Sequence, residues 1–218
     1  MSQIPRWQGR LVLVGFPLAY MANSFTPWSY GLFGEDNRGW YMPFFYSIIF
    51  LHWLSVAVVV ILLKRARVPL TEMGFRWKSR GVAAFILILA AAGASLIALR
   101  TSWGTSDPPT EQWMMLYPYT VAEKWLWILV SISAGFCEEF VYRGFGIRFL
   151  ESGGWRVWQA VALTTLSFVF IHGIAAFFAF PFYALAGLAF AAIFLWRNSL
   201  APVIYCHSLF DLSAILAL

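Results

Sequence analysis

Five ionisable side chains near the carboxyl end of the chain stand within long, otherwise apolar stretches: Glu138, Glu139, His172, His207 and Asp211. Carboxylates and imidazoles carry out most general acid–base catalysis, and both are common metal ligands. Inside a membrane each such group costs about 2.5–3.5 kcal/mol on insertion scales, so it normally faces other polar groups. The sequence therefore predicts a buried cluster that performs acid–base or metal-assisted chemistry.

Helical spacing indicates which of these side chains can pair. Glu139 lies four residues before Arg143, so the two share a helix face and can form an ion pair. Glu138 is turned about 100° away from Glu139 and can face a different neighbour. Asp211 follows His207 by four residues, the spacing at which a carboxylate can accept the imidazole N–H and fix its tautomer.

Four other side chains in the apolar stretches receive structural interpretations. Phe168 precedes His172 by four residues and can shield the histidine from lipid. His52 is far from the cluster in sequence, and we expect it to bond a backbone carbonyl, as an isolated membrane histidine often does. Cys137 and Cys206 imply no disulfide framework; a thiol nucleophile is conceivable at either, but small packing residues are favoured.

The composition identifies the environment of these residues. Of the 218 residues, 61% are hydrophobic and 11% are charged, and the mean hydropathy is +0.72. A soluble domain has about 25% charged residues, so a soluble globular enzyme is excluded. The uncharged run from Val157 to Trp196 is long enough for two crossings at about 20 residues each. The chain is therefore predicted to be a multi-pass membrane protein.

Seven apolar segments are predicted to be transmembrane helices, which makes the fold an all-α helical bundle in a single domain, residues 1–218. The segments lie near 11–27, 41–63, 81–99, 122–143, 157–180, 182–196 and 199–218. Pro181 is predicted to mark the turn between the fifth and sixth segments, since proline interrupts a helix.

Basic residues predict the orientation, because they accumulate in cytoplasmic loops. The loop between the second and third segments holds six basic residues against one acid, Glu72. With this loop in the cytoplasm, the N-terminus is cytoplasmic too, and twelve of the fifteen basic residues lie inside. Topology thus accounts for the net charge of +5, and no nucleic-acid partner is implied.

The depth of the cluster depends on where the helices begin. At a rise of about 1.5 Å per residue, Glu138 and His207 lie roughly 8–12 Å from the cytoplasmic ends of their segments. His172 lies roughly 22 Å from Val157 by the same count. We expect a long fifth helix to bring His172 level with the other two.

Three short motifs follow one another on successive segments. Residues 138–143 read EExxxR, residues 168–172 read FxxxH and residues 207–211 read HxxxD. In this order they resemble the CPBP family of intramembrane proteases, which includes the type II CAAX prenyl endopeptidases and the bacterial abortive-infection proteins. The resemblance covers about residues 120–218. The eukaryotic and archaeal CAAX enzymes end in HxxxN, so Asp211 indicates the broader bacterial branch and a bacterial plasma membrane.

The resemblance implies an endopeptidase that hydrolyses a peptide bond of a membrane-associated protein or peptide. Glu138, helped by His172, would activate the attacking water. His207 would stabilise the oxyanion that develops on the scissile carbonyl, and Asp211 would orient that histidine. The Glu139–Arg143 pair would hold the helix and its charge balance in place.

Three alternatives stay open at this point. Zinc could be held by Glu138, His172 and His207 with Glu139 as the base, but no HExxH motif selects zinc, so a metal-free mechanism without a cofactor is favoured. His172 and His207 could instead bind a b-type haem, which leaves both glutamates without a role. The carboxylates could also serve a proton-coupled transporter, which the lack of internal repeats disfavours.

Overall fold

The structure, a computed structural model, describes residues 1, 3–32, 38–75, 118 and 120–213. These residues form six long helices and one single turn: α1 over 6–32, α2 at Tyr41–Arg65, α3 at Val121–Ser152, α4 at Val157–Phe170, α5 at Ala175–Phe178, α6 at Phe180–Arg197 and α7 at Leu200–Leu212. Short 3-10 turns lie at Arg38–Trp40 and Leu70–Met73. No strand occurs in these ranges, and the predicted all-α bundle is confirmed. The predicted segment 81–99 lies outside the described residues.

The described bundle exposes many large apolar side chains and buries several charged ones among its apolar core. The side chains of Phe50, Trp53 and Leu185 are 65%, 51% and 67% exposed, whereas Glu139 and Arg143 are 0% and 1% exposed. Water would favour the opposite arrangement, but lipid favours this one. By length and composition, α2, α3 and α6 can each cross a membrane, and α4 and α7 are shorter apolar helices. The described chain is thus built as a membrane protein.

Helix α3 is the central element, and it packs against α2 on one side and α7 on the other. It begins at a capping box in which Thr120 Oγ1 accepts from the Glu123 N–H and Glu123 Oε2 accepts from the Thr120 N–H. From Glu139 to Ile147 it winds as a π-helix, and every residue of this stretch is buried. Such π-helical stretches are rare in proteins overall, and those that occur often lie at functional sites.

Helix α4 ends earlier than predicted, because the chain turns sharply inside the bundle. Gly173 has a positive φ of 63°, and a Cβ there would lie 2.2 Å from the Ser24 side chain. The Ser24 hydroxyl also accepts from the Ile174 N–H at 3.0 Å. The predicted turn at Pro181 is therefore wrong in position: the turn comes before α5, and Pro181 lies in the first turn of α6, where proline is tolerated.

The expected long fifth helix is also wrong, since α4 has 14 residues. The depth difference disappears for another reason: α3 continues beyond the predicted end at 143 to Ser152. Glu138 therefore lies fourteen residues before the C-terminal end of α3, and His172 lies fifteen residues after the start of α4. A short turn joins these two helix ends, so the glutamate and the histidine reach the same level.

Candidate active site

A close approach of α3 and α7 brings the adjacent glutamates beside His207. At Gly135 a Cβ would lie 2.1 Å from Ser208 Oγ and 2.9 Å from the Ile204 carbonyl oxygen. Only glycine leaves room for α7 at this point. One turn further along α3, Glu138 and Glu139 consequently face the imidazole of His207.

Glu139 binds two cationic or polar partners at once. Its Oε1 lies 3.2 Å from Arg143 NH1 and 2.7 Å from His207 Nδ1. The first contact is the ion pair that the spacing predicts. The second shows that Glu139 is also the nearest carboxylate to His207, while Asp211 Oδ2 lies 3.5 Å from Nε2 of the same ring.

His207 lies between carboxylates on both edges of its ring. Nδ1 faces Glu139, and Nε2 faces Asp211 Oδ2 and Glu138 Oε2, the latter at 3.8 Å. An imidazole donates through both nitrogens only when it is doubly protonated. The arrangement therefore suits a charged His207 whose Nε2–H faces Asp211 and Glu138.

Aromatic rings close the site on the side of α4 and α6. Phe190 stacks on His207 with ring centroids 4.7 Å apart, and Phe168 meets the same ring edge-on at 5.7 Å. The Arg143 guanidinium lies 4.2 Å from the centroid of Phe168 and donates from NH2 to the Gly187 carbonyl at 3.1 Å. Phe168 thus shields both histidines, as predicted for His172, and additionally covers the buried arginine.

Glu138 presents one bonded and one unbonded oxygen. Oε1 lies 3.0 Å from His52 Nε2, whereas Oε2 makes no hydrogen bond to any described residue although it is buried. A buried carboxylate oxygen without a partner is costly and unusual in a folded protein. Glu139 Oε2 is likewise buried and unbonded, but Glu138 Oε2 is the one that lies near His207 Nε2, at 3.8 Å, and we expect it to meet a ligand or substrate group.

The expectation for His52 is wrong. Instead of a backbone carbonyl, its ring bonds two side chains of α3: Glu138 through Nε2 and Ser133 through Nδ1, the latter at 3.2 Å. His52 is buried, with 1% of its surface exposed. Spacing along the sequence contained no signal for this contact, because α2 and α3 are distant in the chain; the histidine's presence in an apolar span was the only indication.

His172 makes the backbone contact that was expected of His52. Its Nδ1 donates to the Phe168 carbonyl at 2.9 Å, one turn back along α4. Its ring stacks on Tyr183 with centroids 3.9 Å apart, a contact that the sequence did not predict. No hydrogen bond joins His172 to Glu138 in the described part of the chain. Since Nδ1 is occupied, Nε2 is the nitrogen available to the site.

Neither the cysteines nor a metal-binding cluster adds a group to this site in the described part of the chain. Cys137 and Cys206 are both free thiols, and Cys137 is fully buried. Among the described residues, no three His, Cys, Asp or Glu side chains are arranged to hold a metal ion.

The fold and the site together define a multi-pass membrane protein with a buried acid–imidazole cluster. Residues 120–213 match the family model of the type II CAAX prenyl endopeptidases, described as Rce1-like. The matched segment contains all three motifs, so this part of the chain is similar to the intramembrane proteases of that family. No curated protein matches the chain, and no solved structure does.

Proposed function

We propose that this protein is an intramembrane endopeptidase that cleaves a membrane-associated protein or peptide. The family match supports a hydrolase of this type, and the observation that carries the assignment of the site is the unbonded, buried Glu138 Oε2. This oxygen lies 3.8 Å from His207 Nε2, which leaves a proton acceptor beside a hydrogen-bond donor. Hydrolysis of a peptide bond needs that combination.

In the proposed reaction, Glu138 Oε2 accepts a proton from water as the water oxygen bonds to the scissile carbonyl carbon. The carbonyl electron pair moves onto oxygen, and the Nε2–H of His207 donates to the resulting oxyanion. When the carbonyl re-forms, the C–N bond breaks and Glu138 returns the proton to the departing amine. His172, through Nε2, helps to hold the water.

The catalytic group that we propose is metal-free, with Glu138 as the base. The hydrogen bonds of Glu138 Oε1 and His207 Nδ1 to other side chains support this choice, because they hold both groups in place without a metal. We expect the purified protein to contain less than one zinc per chain and to retain its activity in a strong chelator. Loss of activity with the chelator, and its return on adding zinc, would contradict the proposal.

The decisive experiment compares membrane proteomes. In cells whose own copy has been deleted, the wild-type protein and Glu138→Gln or His172→Ala variants are expressed at matched levels. We expect uncleaved precursors to accumulate with both variants while the proteins still insert, because each lacks a group that activates water. The accumulated precursors identify the substrate. Wild-type processing by Glu138→Gln would rule out the assignment of the base.

The substrate class follows from the site and the family. The cluster is buried among helices whose outer faces expose large apolar side chains, which supports a scissile bond that enters the membrane. We propose a lipid-anchored or membrane-spanning peptide segment as the substrate. Asp211, in place of the asparagine of the CAAX enzymes, favours a substrate other than a prenylated CAAX tail.

We also propose a cytoplasmic N-terminus in a bacterial plasma membrane. Supporting this, one end of the bundle carries Arg10 of α1, Arg65 of α2, Arg148 near the end of α3 and Arg197 of α6. Excess basic charge at one end of a bundle is typical of the cytoplasmic side.

A further inference from the structure

His52 contributes to the site from outside the segment that matches the protease family. It lies on α2, whereas the match begins at residue 120. Its Nε2 lies 3.0 Å from Glu138 Oε1 and its Nδ1 lies 3.2 Å from Ser133 Oγ. Both nitrogens of this buried imidazole thus contact α3. One contact is with Oε1 of Glu138, whose other carboxylate oxygen, Oε2, we assign as the base.

We propose that His52 is a positioning residue that fixes the carboxylate of Glu138 for catalysis. The Nε2–H of His52 donates to Oε1 and so leaves Oε2 directed toward His207. This inference rests on the proposed function, because the proposed function makes Glu138 the base that His52 positions. His52 itself touches neither the attacking water nor the scissile bond in this scheme.

The contacts of His52 also select the required tautomer. In a neutral imidazole one nitrogen donates and the other accepts. The Ser133 hydroxyl, which can donate to Nδ1, leaves the proton on Nε2, where it faces Glu138. The ring packs on Tyr20 of α1 with centroids 5.6 Å apart. Three helices therefore set the orientation of this one donor.

A glutamate needs such a partner because its terminal torsion is soft. Rotation of the carboxylate about the last bond is broad and roughly two-fold, so an unrestrained Glu138 would present either oxygen and several angles. Misplacing a catalytic group by about 1 Å can cost on the order of 100-fold in rate. We therefore expect removal of the His52 donor to lower kcat by about 10- to 100-fold and to leave KM nearly unchanged.

The test uses the precursor that accumulates with Glu138→Gln as its substrate. His52→Leu keeps the volume but removes the donor, whereas His52→Gln keeps an N–H at similar reach. Val59→Ala is the matched control, because Val59 lies two turns along the same face of α2, is 0% exposed and carries no polar group. Each purified variant is assayed in lipid nanodiscs for kcat, KM and thermal unfolding.

We expect His52→Leu to lose kcat at constant KM, His52→Gln to recover much of it, and Val59→Ala to lose thermal stability without that loss of kcat. A wild-type kcat for His52→Leu would overturn the positioning role and leave the proposed function intact. Equal kcat losses in His52→Leu, His52→Gln and Val59→Ala would overturn it as well, because they would reflect packing alone. If Glu138→Gln accumulates no precursor, the proposed function fails, and this inference fails with it.

Discussion

Among the individual residues, Glu139 is a fully buried carboxylate with two side-chain partners. It is fully buried and pairs with Arg143, which is buried too, while the same Oε1 lies 2.7 Å from His207 Nδ1. Removing one partner of a buried pair leaves the other charge without compensation, whereas an exposed pair contributes little. Glu139 thus couples the stability of the helix to the orientation of the histidine.

For Glu139→Gln we predict a loss of about 3–5 kcal/mol in the free energy of unfolding, because Arg143 remains buried without its partner. The chain offers a matched control in Arg148 and Glu151, which also lie 3.2 Å apart but have side chains 29% and 25% exposed. Glu151→Gln should cost at most about 1 kcal/mol. Denaturant unfolding of both variants in detergent micelles measures the difference.

A double variant separates stability from catalysis at the same position. Replacing both Glu139 and Arg143 by Leu and Met removes the buried charges together, which is often neutral or stabilising. We therefore expect stability to recover while cleavage stays low, since His207 has lost its nearest carboxylate. Recovery of cleavage in the double variant would show that the orientation of His207 does not depend on Glu139.

At the scale of elements, the site depends on how closely α3 and α7 approach. The contact at Gly135 leaves no space for a side chain, because backbone atoms of Ser208 and Ile204 lie within 2.9 Å of the position that a Cβ would take. Backbone atoms cannot rotate away as a flexible side chain can. Gly135, which has no side chain to take part in catalysis, consequently sets the distance between the glutamates and His207.

We predict that Gly135→Ala pushes α7 away from α3 and lowers cleavage by at least about tenfold, since misplaced catalytic groups lose rate steeply. The control is Gly15→Ala, where the nearest atom to a new Cβ is Leu11 Cδ1, the end of a flexible side chain, at 3.2 Å. Initial rates at saturating substrate compare the two variants. Equal rates in Gly135→Ala and the wild type would show that the helix contact does not control the site.

At the scale of the whole molecule, basic residues concentrate at one end of the bundle. The turn between α3 and α4 lies at this end, beside the start of α1, where Gly9 packs on Phe149. The start of α3 lies at the opposite end. The two ends therefore provide separate reporters for the proposed orientation.

For the orientation test, Cys137 and Cys206 are first replaced by alanine, and single cysteines are introduced at Ser152 or Ala122, both exposed. In intact cells we expect a membrane-impermeant maleimide to label Ala122→Cys and not Ser152→Cys, because the latter faces the cytoplasm. Permeabilised cells provide the control in which both should react. Labelling of Ser152→Cys in intact cells would reverse the proposed orientation.

Local periodicity explains which parts of the site the sequence could predict. The Glu139–Arg143 pair and the shielding of His172 by Phe168 follow from neighbours one helical turn apart, a relationship that a sequence displays directly. In the structure His52 bonds Glu138, and His172 makes the backbone contact expected of His52, because a histidine's partner across a bundle depends on which helices pack together. For the same reason, the sequence did not predict the π-helical stretch after Glu139 or the turn at Gly173.

An all-α membrane bundle with a buried acid–imidazole cluster follows from the amino-acid sequence, because the lack of charge leaves no other environment and the cost of burial forces the polar groups together. Three facts follow only from how the helices pack: Glu138 Oε2 is unbonded, His52 holds Oε1, and Glu139 contacts His207. These facts depend on helix depth and rotation, which are set by close contacts such as Gly135 on Ser208 and are not encoded in the spacing of any single segment.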